Sequence, residues 1–375
     1  MSAARDAVVG AGIVGIALAY ALARRGRQVF VFDATLTPQG ASVRNFGTLW
    51  PIGQPAGPRR TLALESLAIW RDVLTHSGTW FADSGSLHLA YHDDEFALLE
   101  ECALSTNSDG FTCRLLDPAE TRARVPQIRH DGLVGALASE HEMQVNSRTA
   151  LVRLPQWLAE QYGVRFERGV RITACGEEFV QAGARRWDVD RVWLATGDDL
   201  STLYPETFAE LGLRRCKLQM MRTSPVPWLL GAILAAGLTL GHYDGFASYP
   251  GLDVLKARLR RDWPSQVAHG IHVLVAQHES GHLILGDSHE YDDDITPFDK
   301  PSIDDLVLTY LRSFLDVDPF TIIERWHGTY VKHPRDPYCV CSPEPGVTVV
   351  AALGGHGMTL SFGLAEQVVR ASVDR

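Results

Sequence analysis

The spacing of apolar and polar residues changes character several times within the first forty positions. A short β-rich run reaches Val9, a glycine-rich turn follows, and small and apolar residues with helical character continue to Arg25. Gly26 ends that segment, and the apolar run VFVFD then ends at Asp33. This order predicts a βαβ unit, in which a helix connects two parallel strands.

Parts of this alternation return later in the chain. A helical stretch at residues 151–162 precedes a β-rich run at 163–176, and a further strand pattern follows at 191–199. Strands that alternate with helices in this way are typical of one parallel sheet. We therefore expect these strands to join the sheet that the βαβ unit begins.

Two other regions carry alternating strand patterns, with a helix from about residue 303 to 315. Alternation with period two is typical of antiparallel strands that have one buried face. We predict an α/β domain that is discontinuous in sequence and a second, α+β domain with a mixed antiparallel sheet. The first contains residues 1–80, 145–215 and 325–375, and the second contains residues 81–144 and 216–324.

Residues 7–23 form an uncharged run of 17 residues, the length of a signal-peptide core or a short membrane span. Arg5 and Asp6 precede it without net positive charge, and its glycines have a fixed spacing, so we expect a buried helix instead. A second apolar stretch, at residues 228–240, has only 13 residues and is too short to cross a bilayer. We expect no membrane span.

Composition narrows the class of protein further. The 35 basic and 45 acidic residues give a net charge of −10, the wrong sign for neutralising nucleic-acid phosphates. The six cysteines contain no CxxC pair and are too few in 375 residues for a disulfide framework. We expect a cytoplasmic protein with reduced thiols and no nucleic-acid partner.

The turn after the first strand contains a GxGxxG pattern, formed by Gly10, Gly12 and Gly15. The first glycine permits a tight turn, the second lets backbone N–H groups approach a pyrophosphate, and the third lets the helix pack closely on the strand. Asp33 is placed to accept hydrogen bonds from a ribose 2′-hydroxyl. The unit predicts binding of FAD or NAD rather than NADP.

A second glycine-rich turn lies later, within ALGGHGMTLSFGLAE. VTVVAAL predicts a buried strand, GGHG predicts a turn with free backbone N–H groups, and MTLSFGLAEQVV predicts the start of a helix. A helix N-terminus of this kind favours an anion. Backbone dipoles at residues 355–359 are therefore suited to stabilise negative charge on a bound group.

Five segments together resemble the D-amino-acid-oxidase-type family of FAD-dependent amine oxidoreductases, which includes glycine oxidase and sarcosine oxidase. They are VVGAGIVG with Asp33, ASVRNFG (41–47), LATGDD (194–199), RWHGTY (325–330) and ALGGHGMTLSFGLAE (352–366). The resemblance covers almost the whole chain and implies a Rossmann-like FAD-binding domain with a substrate domain. It implies FAD binding by Gly10, Ala11, Gly12, Ile13, Val14, Gly15, Asp33, Ala34, Ser42, Arg44, Asn45, Phe46, Gly47, Val170, Thr196, Gly197, Gly354, Gly355, His356, Gly357, Met358 and Thr359.

Two differences from the family pattern concern the substrate. Carboxylate-handling members place an arginine where this chain has Tyr330, and a basic side chain near the positions of Gly357 and Thr359. Both carboxylate-binding groups are absent, which argues against a simple α-amino acid as substrate. A basic cluster nearby either binds a doubly charged group such as a phosphonate or belongs to a solvated surface loop. It consists of Lys332, His333 and Arg335.

The segments RNFGTLWPIGQP, GDSHEY and GGHGMTLSFGLAE look most like a subgroup of the family that is associated with bacterial organophosphonate catabolism. That resemblance implies oxidation of an aminophosphonate, such as N-demethylation of N-methyl-2-aminoethylphosphonate. Sarcosine-oxidase-like members attach flavin covalently through a cysteine that the matching stretch GTYVKHP lacks. We expect noncovalent FAD, with Cys339 and Cys341 packed within a strand.

The sequence predicts no metal site. His278 and His282 form an HxxxH pattern, which places both rings on one face only in a helix. The surrounding AQHESGHLILGD predicts two strands joined by a glycine turn. The sequence also lacks the GxxxxGK[ST] and GxSxG patterns, which excludes P-loop hydrolysis and α/β-hydrolase chemistry.

We expect an FAD-dependent amine oxidoreductase that transfers a hydride from a small neutral amine to flavin N5, after which the imine hydrolyses. The expected electron acceptor is O2 or another oxidant, and no general base is predicted. The expected catalytic residues are His356, Tyr330 and Gln54. The expected substrate contacts are Trp50, Gln219, Tyr243, Tyr330, Lys332, His333 and Arg335.

Three alternatives fit the same fold. The first is oxidation of glycine, sarcosine or a D-amino acid. The second is an FAD-dependent 2-hydroxy acid dehydrogenase, which would need a histidine base and a carboxylate-binding group. The third is a noncatalytic flavoprotein subunit, against which the intact C-terminal glycine motif argues.

Overall fold

The structure, a computed structural model, describes residues 4–105, 111–316 and 320–373. It begins with the predicted βαβ unit, formed by β1 (Arg5–Val9), α1 (Ile13–Ala23) and β2 (Gln28–Asp33). The two strands pair in parallel. Gly10, between β1 and α1, has φ +106°, a backbone conformation that glycine adopts without strain.

The remaining elements follow in chain order. The strands are β3 (Thr48–Leu49), β4 (Phe81–Ala82), β5 (Ser86–Ala90), β6 (Cys113–Leu116), β7 (Gly135–Ser139), β8 (Met143–Val145), β9 (Arg165–Arg168), β10 (Ala174–Gly176), β11 (Phe179–Ala182), β12 (Arg185–Asp188), β13 (Arg191–Leu194), β14 (Arg214–Pro225), β15 (Ile233–Ala235), β16 (Leu274–Gln277), β17 (His282–Gly286), β18 (Glu290–Asp292), β19 (Ile322–Lys332), β20 (Cys339–Cys341) and β21 (Val347–Ala351). The helices are α2 (Pro58–Ser77), α3 (Asp93–Ser105), α4 (Pro118–Arg124), α5 (Ser147–Tyr162), α6 (Pro205–Glu210), α7 (Gly237–His242), α8 (Leu252–Asp262), α9 (Pro264–Ala268), α10 (Pro301–Leu311) and α11 (Gly357–Val373).

A six-stranded sheet carries the βαβ unit at its centre. Its strand order is β20-β21-β13-β1-β2-β9. Neighbouring strands are parallel, except for the antiparallel pair β20 and β21. The sheet therefore combines strands from widely separated parts of the chain, as the returning strand patterns predicted.

A nine-stranded sheet forms the second large layer. Its order is β18-β14-β17-β16-β15-β5-β7-β6, and β19 also pairs with β14. Most neighbours are antiparallel, whereas β5 and β15 run parallel, so the sheet is mixed as predicted. Two small three-stranded sheets complete the fold, β3-β8-β4 and β10-β11-β12.

Helix α1 explains the uncharged run near the start of the chain. Ten of its 11 residues are buried, because α2, α5 and α11 surround it above the six-stranded sheet. Aromatic rings fill the space between these helices, with centroid distances of 5.7 Å for Tyr20 and Trp157 and 5.8 Å for Tyr20 and Phe362. A helix that is packed on every side is apolar on every side. Within the described ranges, we find no helix with both the length and the apolar character that crossing a bilayer requires.

The predicted division into two domains stays a prediction. All strands of the six-stranded sheet come from the segments assigned to the first domain. The long strands β14 and β19 cross the predicted boundaries near residues 215 and 325, and they pair with each other in the nine-stranded sheet. These two strands lie where the two large sheets meet, beside the cavities described below.

Candidate active site

Two adjacent cavities lie between the large sheets. The larger, of about 760 Å³, follows the turn after β1, and the smaller, of about 350 Å³, reaches β14 and β19. Their walls share Ile13, Ser42, Arg44, Tyr330 and Gly354. The two cavities therefore form one channel, of the size usual for cofactor and substrate sites.

The glycine-rich turn opens the N-terminus of α1 to the larger cavity. The Ile13 N–H donates to Ser42 Oγ at 3.0 Å. A Cβ atom on Gly12 would lie 3.1 Å from the same oxygen, and a Cβ on Gly15 would lie 1.8 Å from Gly10 O. Only glycine leaves this turn close-packed and its N–H groups accessible, which suits a pyrophosphate.

Asp33 ends β2 beside this turn, and its carboxylate is held in place. Its Oδ2 accepts from Ala11 N at 2.8 Å, and its Oδ1 accepts from Thr35 N at 2.8 Å and from Thr35 Oγ1 at 2.7 Å. The residue lines the larger cavity. This is the position from which an acidic residue binds an adenosine ribose.

The segment 41–47 forms a short loop along the channel. Asn45 fixes the loop, because its Nδ2 donates to Ala41 O and Ser42 O, and its Oδ1 accepts from Gly47 N at 2.7 Å. Arg44 Nη1 donates to His327 O at 3.0 Å and so ties the loop to β19. These contacts shape the channel wall.

Val170 lies in the loop after β9, not within the strand, because β9 ends at Arg168. Its N–H donates to Asp33 O at 2.9 Å, which brings it to the larger cavity. Thr196 and Gly197 line the same cavity after β13. All predicted cofactor residues line the channel except Gly15 and Gly47, which pack against neighbouring backbone.

The C-terminal glycine motif lies where the two cavities meet. Residues 354–356 form a 3₁₀ turn that leads directly into α11. The first turn of α11 is held from outside, because Thr359 Oγ1 accepts from Trp50 N at 2.9 Å and Met358 O accepts from Trp70 Nε1 at 2.8 Å. Its first residues line the channel, where a helix N-terminus favours an anion or a developing negative charge.

His356 is held by a chain of hydrogen bonds. Arg59 donates to Gln54 Oε1 at 3.1 Å, which turns the amide so that Gln54 Nε2 donates to His356 Nδ1 at 2.9 Å. The ring therefore carries its proton on Nε2. Burial lowers the pKa of His356 to about 4, and the Arg59 guanidinium adds to this effect, so the ring is neutral at physiological pH.

Aromatic residues form much of the wall of the smaller cavity. Trp50, Tyr243 and Tyr330, three of the residues expected to contact the substrate, all line it. Burial raises the pKa of the Tyr243 and Tyr330 phenols well above its usual value, so both groups remain hydrogen-bond donors. A side chain at Gly355 would contact the Tyr330 ring, with 3.8 Å from its Cβ to the phenol oxygen.

The basic cluster also lines the smaller cavity. Lys332 and Arg335 are exposed, and within the described ranges neither forms a salt bridge. His333 is buried, and its Nδ1 accepts from Asp336 N at 2.9 Å and from Arg335 N at 3.3 Å. The two long cations are thus available to a ligand, whereas the histidine stabilises the loop that carries them.

Two predicted site residues lie elsewhere. Gln219 is buried on the opposite face of β14, where its Nε2 donates to Asp304 Oδ1 at 2.8 Å; its neighbours Leu218 and Met220 line the cavity instead. The alternation of side chains along a strand explains this correction. Gln54 lies behind the wall and contacts two residues that line the smaller cavity, His356 and Arg59.

The histidines of the HxxxH pattern lie apart from the cavities. They flank the turn between β16 and β17, as the sequence predicted. His278 Nε2 lies 3.2 Å from Phe46 O, and His282 Nδ1 lies 2.7 Å from Thr223 O. Both rings are thus held by backbone carbonyls.

Sequence reasoning missed three other histidines and a carboxylate. His242, His272 and His289, together with Asp287, line the smaller cavity. No local spacing connects these positions, because α7, the segment before β16 and the segment after β17 bring them together. Burial lowers the pKa of His289 to about 4 and holds the pKa of His242 and His272 well below its usual value.

The fold and the channel define a dinucleotide-binding protein of the Rossmann-like type. The family model described as DAO, FAD dependent oxidoreductase, matches residues 7–371. The chain therefore belongs to this family and is an FAD-dependent oxidoreductase. No curated protein matches the chain in sequence.

Several solved structures share the fold. Glycine oxidase from Geobacillus kaustophilus aligns with a TM-score of 0.79 and 18% identity over 99% of this chain and 95% of that chain. L-proline dehydrogenase from P. horikoshii aligns with a TM-score of 0.78 and 19% identity over 100% of this chain and 94% of that chain. L-α-glycerophosphate oxidase from Mycoplasma pneumoniae, with FAD bound, aligns with a TM-score of 0.73 and 16% identity over 99% of this chain and 94% of that chain.

The channel residues fit FAD. The glycine turn leaves a space at the N-terminus of α1 that a Cβ atom on Gly12 would enter, and Asp33 lies beside it. These groups would hold the pyrophosphate and the adenosine ribose. The N-terminus of α11 would lie at the flavin end of the channel, next to the smaller cavity.

Proposed function

We propose that the protein oxidises the C–N bond of a small anionic amine, and that the amine is an aminophosphonate such as N-methyl-2-aminoethylphosphonate. The observation that carries this proposal is a pair of exposed cations, Lys332 and Arg335, which line the smaller cavity and form no salt bridge with any residue that the structure describes. Two cations suit a doubly charged phosphonate, and Tyr330 occupies the position of the family's carboxylate-binding arginine. Resemblance to the organophosphonate-associated subgroup supports the same substrate class.

FAD is bound noncovalently in this proposal. Within the described ranges, no cysteine lines either cavity, and Cys339 and Cys341 lie on the edge strand β20. Bound FAD would supply the two-electron acceptor for the C–H bond of the amine. N–H groups at the start of α11 would stabilise negative charge in the channel as electrons arrive.

The chain's own residues orient the amine and exclude water. The aromatic wall of Trp50, Tyr243 and Tyr330 would confine the carbon skeleton, while the cations hold the phosphonate. His356 is neutral, and its Nε2 lies 3.5 Å from Arg59 Nη2; both residues line the smaller cavity, so the imidazole and the guanidinium would contact the substrate together. The amino group would bind in its deprotonated form, so the reaction would need no general base.

Two other substrates remain candidates because of the structural relatives. Glycine oxidase shares the fold, which supports oxidation of glycine, sarcosine or a D-amino acid. Glycerophosphate oxidase also shares the fold, so the fold alone does not decide between an amine and the 2-hydroxy acid of the second alternative. The hydroxy acid would need a histidine base, and His356 is the only histidine of the C-terminal glycine motif.

Anaerobic reduction of the bound flavin tests the proposal. The panel comprises N-methyl-2-aminoethylphosphonate, 2-aminoethylphosphonate, glycine, sarcosine, D-alanine and a 2-hydroxy acid, with flavin absorbance as the readout. We expect the N-methylated phosphonate to bleach the flavin fastest. Bleaching by hydroxy acids alone would overturn the proposal, and peroxide release in air would separate an oxidase from a dehydrogenase.

A further inference from the structure

Three imidazoles converge on one point in the wall of the smaller cavity. One ring nitrogen from each of His242, His272 and His289 lies within 4.8 Å of one from each of the other two. The ring centroids are 3.9 Å apart for His242 and His272, 4.5 Å for His242 and His289, and 5.2 Å for His272 and His289. Three ligand nitrogens around one ion have separations of this order.

Two of the rings have one nitrogen oriented by an outer partner. His289 Nδ1 donates to Gly270 O at 2.9 Å, which leaves the lone pair of Nε2 available. His272 Nε2 lies 3.0 Å from Asp287 Oδ1, which leaves Nδ1 available. Metal-ligating histidines are held in this way, with the second ring nitrogen on a backbone carbonyl or a carboxylate.

Buried polar atoms without a partner point to a missing ligand. His272 is 2% exposed, and within the described ranges its Nδ1 has no hydrogen-bond partner. Asp287 is 5% exposed, and its Oδ1 lies beside His272 Nε2. Buried polar groups are nearly always satisfied, so His272 Nδ1 calls for a further group.

We propose that His242, His272 and His289 bind a divalent transition-metal ion of the Zn²⁺ class, with Asp287 as the outer partner of His272. Three histidine ligands leave one position open, and all three residues line the cavity assigned to the substrate. The open position would take an anionic oxygen of the substrate. This last step rests on the proposed function, whereas the metal site does not.

The test uses the FAD-loaded protein without a polyhistidine tag, stripped of metal with a chelator and titrated with Zn²⁺ by calorimetry. We expect one equivalent to bind, and X-ray absorption of the loaded protein to show nitrogen ligands at about 2.0–2.1 Å. Sulfur ligands at about 2.3 Å, or no binding at millimolar Zn²⁺, would overturn the proposal. Because this readout uses the unmodified chain, it does not depend on whether variants fold.

Variants locate the site. His289→Gln and His242→Gln should weaken Zn²⁺ binding by more than about 100-fold, and Asp287→Asn by roughly 10–100-fold. The matched control is His282→Gln, on β17 but outside the cavity, which should bind Zn²⁺ normally. FAD content and circular dichroism report whether each variant folds. Unchanged binding in both folded ligand variants would overturn the assignment.

A Co²⁺-loaded sample tests the open position. Methylphosphonate, which lacks an amine, should shift the visible Co²⁺ absorption bands of the wild-type protein. An unshifted spectrum would overturn the substrate-ligand step while leaving the metal site intact. Failure of every amine to bleach the flavin would instead overturn the proposed function, so the two results remain distinguishable.

Discussion

Lys332 and Arg335 offer the most direct test of substrate charge, because they are exposed cations at the cavity mouth. Lys332→Gln or Arg335→Gln should raise the KM for an anionic amine about three- to tenfold and change kcat little, since charged hydrogen bonds near solvent contribute about 1 kcal/mol. Steady-state kinetics measures both constants. Arg260→Gln, an exposed arginine on α8, is the matched control.

If both variants kept a wild-type KM for every anionic amine, the cations would have no part in binding. A parallel rise in KM for a neutral amine would indicate a disturbed cavity instead of a lost charge.

Gln54 is a positioning residue for His356. It is fully buried, accepts from Arg59 and donates to His356. Gln54→Leu should lower the rate constant of flavin reduction roughly tenfold, because one oriented hydrogen bond to a buried ring contributes about 1.4 kcal/mol. Rapid-mixing spectroscopy measures that rate.

The FAD content and the melting temperature of Gln54→Leu should remain close to those of Gln367→Leu, a control at a half-buried glutamine of α11 outside both cavities. A loss of bound FAD that matches the loss of rate would contradict a positioning role.

The buried side chain of His88 affects the stability of the folded protein at acidic pH. Its ring is buried between Trp50 and Phe246, and within the described ranges neither ring nitrogen has a hydrogen-bond partner. Burial lowers its pKa from 6.5 to about 3. At pH values between about 3 and 6.5, His88 binds a proton in the unfolded chain but stays neutral in the folded chain. The free energy of unfolding therefore decreases as the pH falls below 6.5.

His88→Leu should remove this contribution. Between pH 7 and pH 5 the wild type should lose about 2 kcal/mol more free energy of unfolding than the variant, because one proton is linked to unfolding at about 1.4 kcal/mol per pH unit. Urea denaturation at both pH values measures the difference. Val254→Ala, at an exposed position on α8 that carries no titratable group, should keep the wild-type dependence. Identical acid dependence in the His88 variant would contradict the assignment.

The role of a residue was predictable where one short segment forms the site, and it was not predictable where distant segments of the chain come together to form the site. The sequence predicts Gln219 as a substrate contact, but the pleat of β14 points Leu218 and Met220 into the cavity. The cluster of His242, His272 and His289 leaves no trace in sequence spacing, because the pairing of β16 with β17 and the position of α7 bring it together.

At the scale of elements, the βαβ unit was predictable because all its determinants lie within 33 residues. The apolar period, the three glycines and Asp33 agree on one arrangement, and β1, α1 and β2 confirm it. The pairing of β14 with β19 was not predictable, since about a hundred residues separate the two strands. The predicted helix at 303–315 is α10, shifted to Pro301–Leu311.

A single added methyl group tests whether the N-terminus of α1 binds the pyrophosphate of FAD. Gly12 has φ −72°, so Gly12→Ala should fold normally, but its Cβ would enter the space beside Ser42 that a pyrophosphate needs. FAD affinity should fall by roughly tenfold or more, about 1.4 kcal/mol. Fluorescence titration of the apoprotein with FAD measures the change.

Gly40→Ala is the matched control, because Gly40 also lines the larger cavity but its Cβ would meet no atom within 4 Å. Equal FAD affinities for the two variants would show that the turn does not hold the pyrophosphate.

At the scale of the whole molecule, the channel joins the two large sheets. Its walls come from the first turn, from the loop after β13, from β14 and β19, and from the C-terminal motif. FAD should therefore stabilise the whole molecule, by about 2.7 kcal/mol at a free concentration one hundred times the Kd. Thermal unfolding followed by circular dichroism at increasing FAD should show one transition that moves upward. Two transitions, of which only one moves, would show that the sheets unfold independently.

The order of the channel walls along the chain has a consequence for biosynthesis. Residues 10–15 leave the ribosome early, whereas residues 354–359, which complete the flavin end of the channel, leave it only after more than three hundred others. A nascent chain therefore carries a dinucleotide turn without the segment that closes the site. We therefore expect stable FAD binding to follow translation of the C-terminal motif.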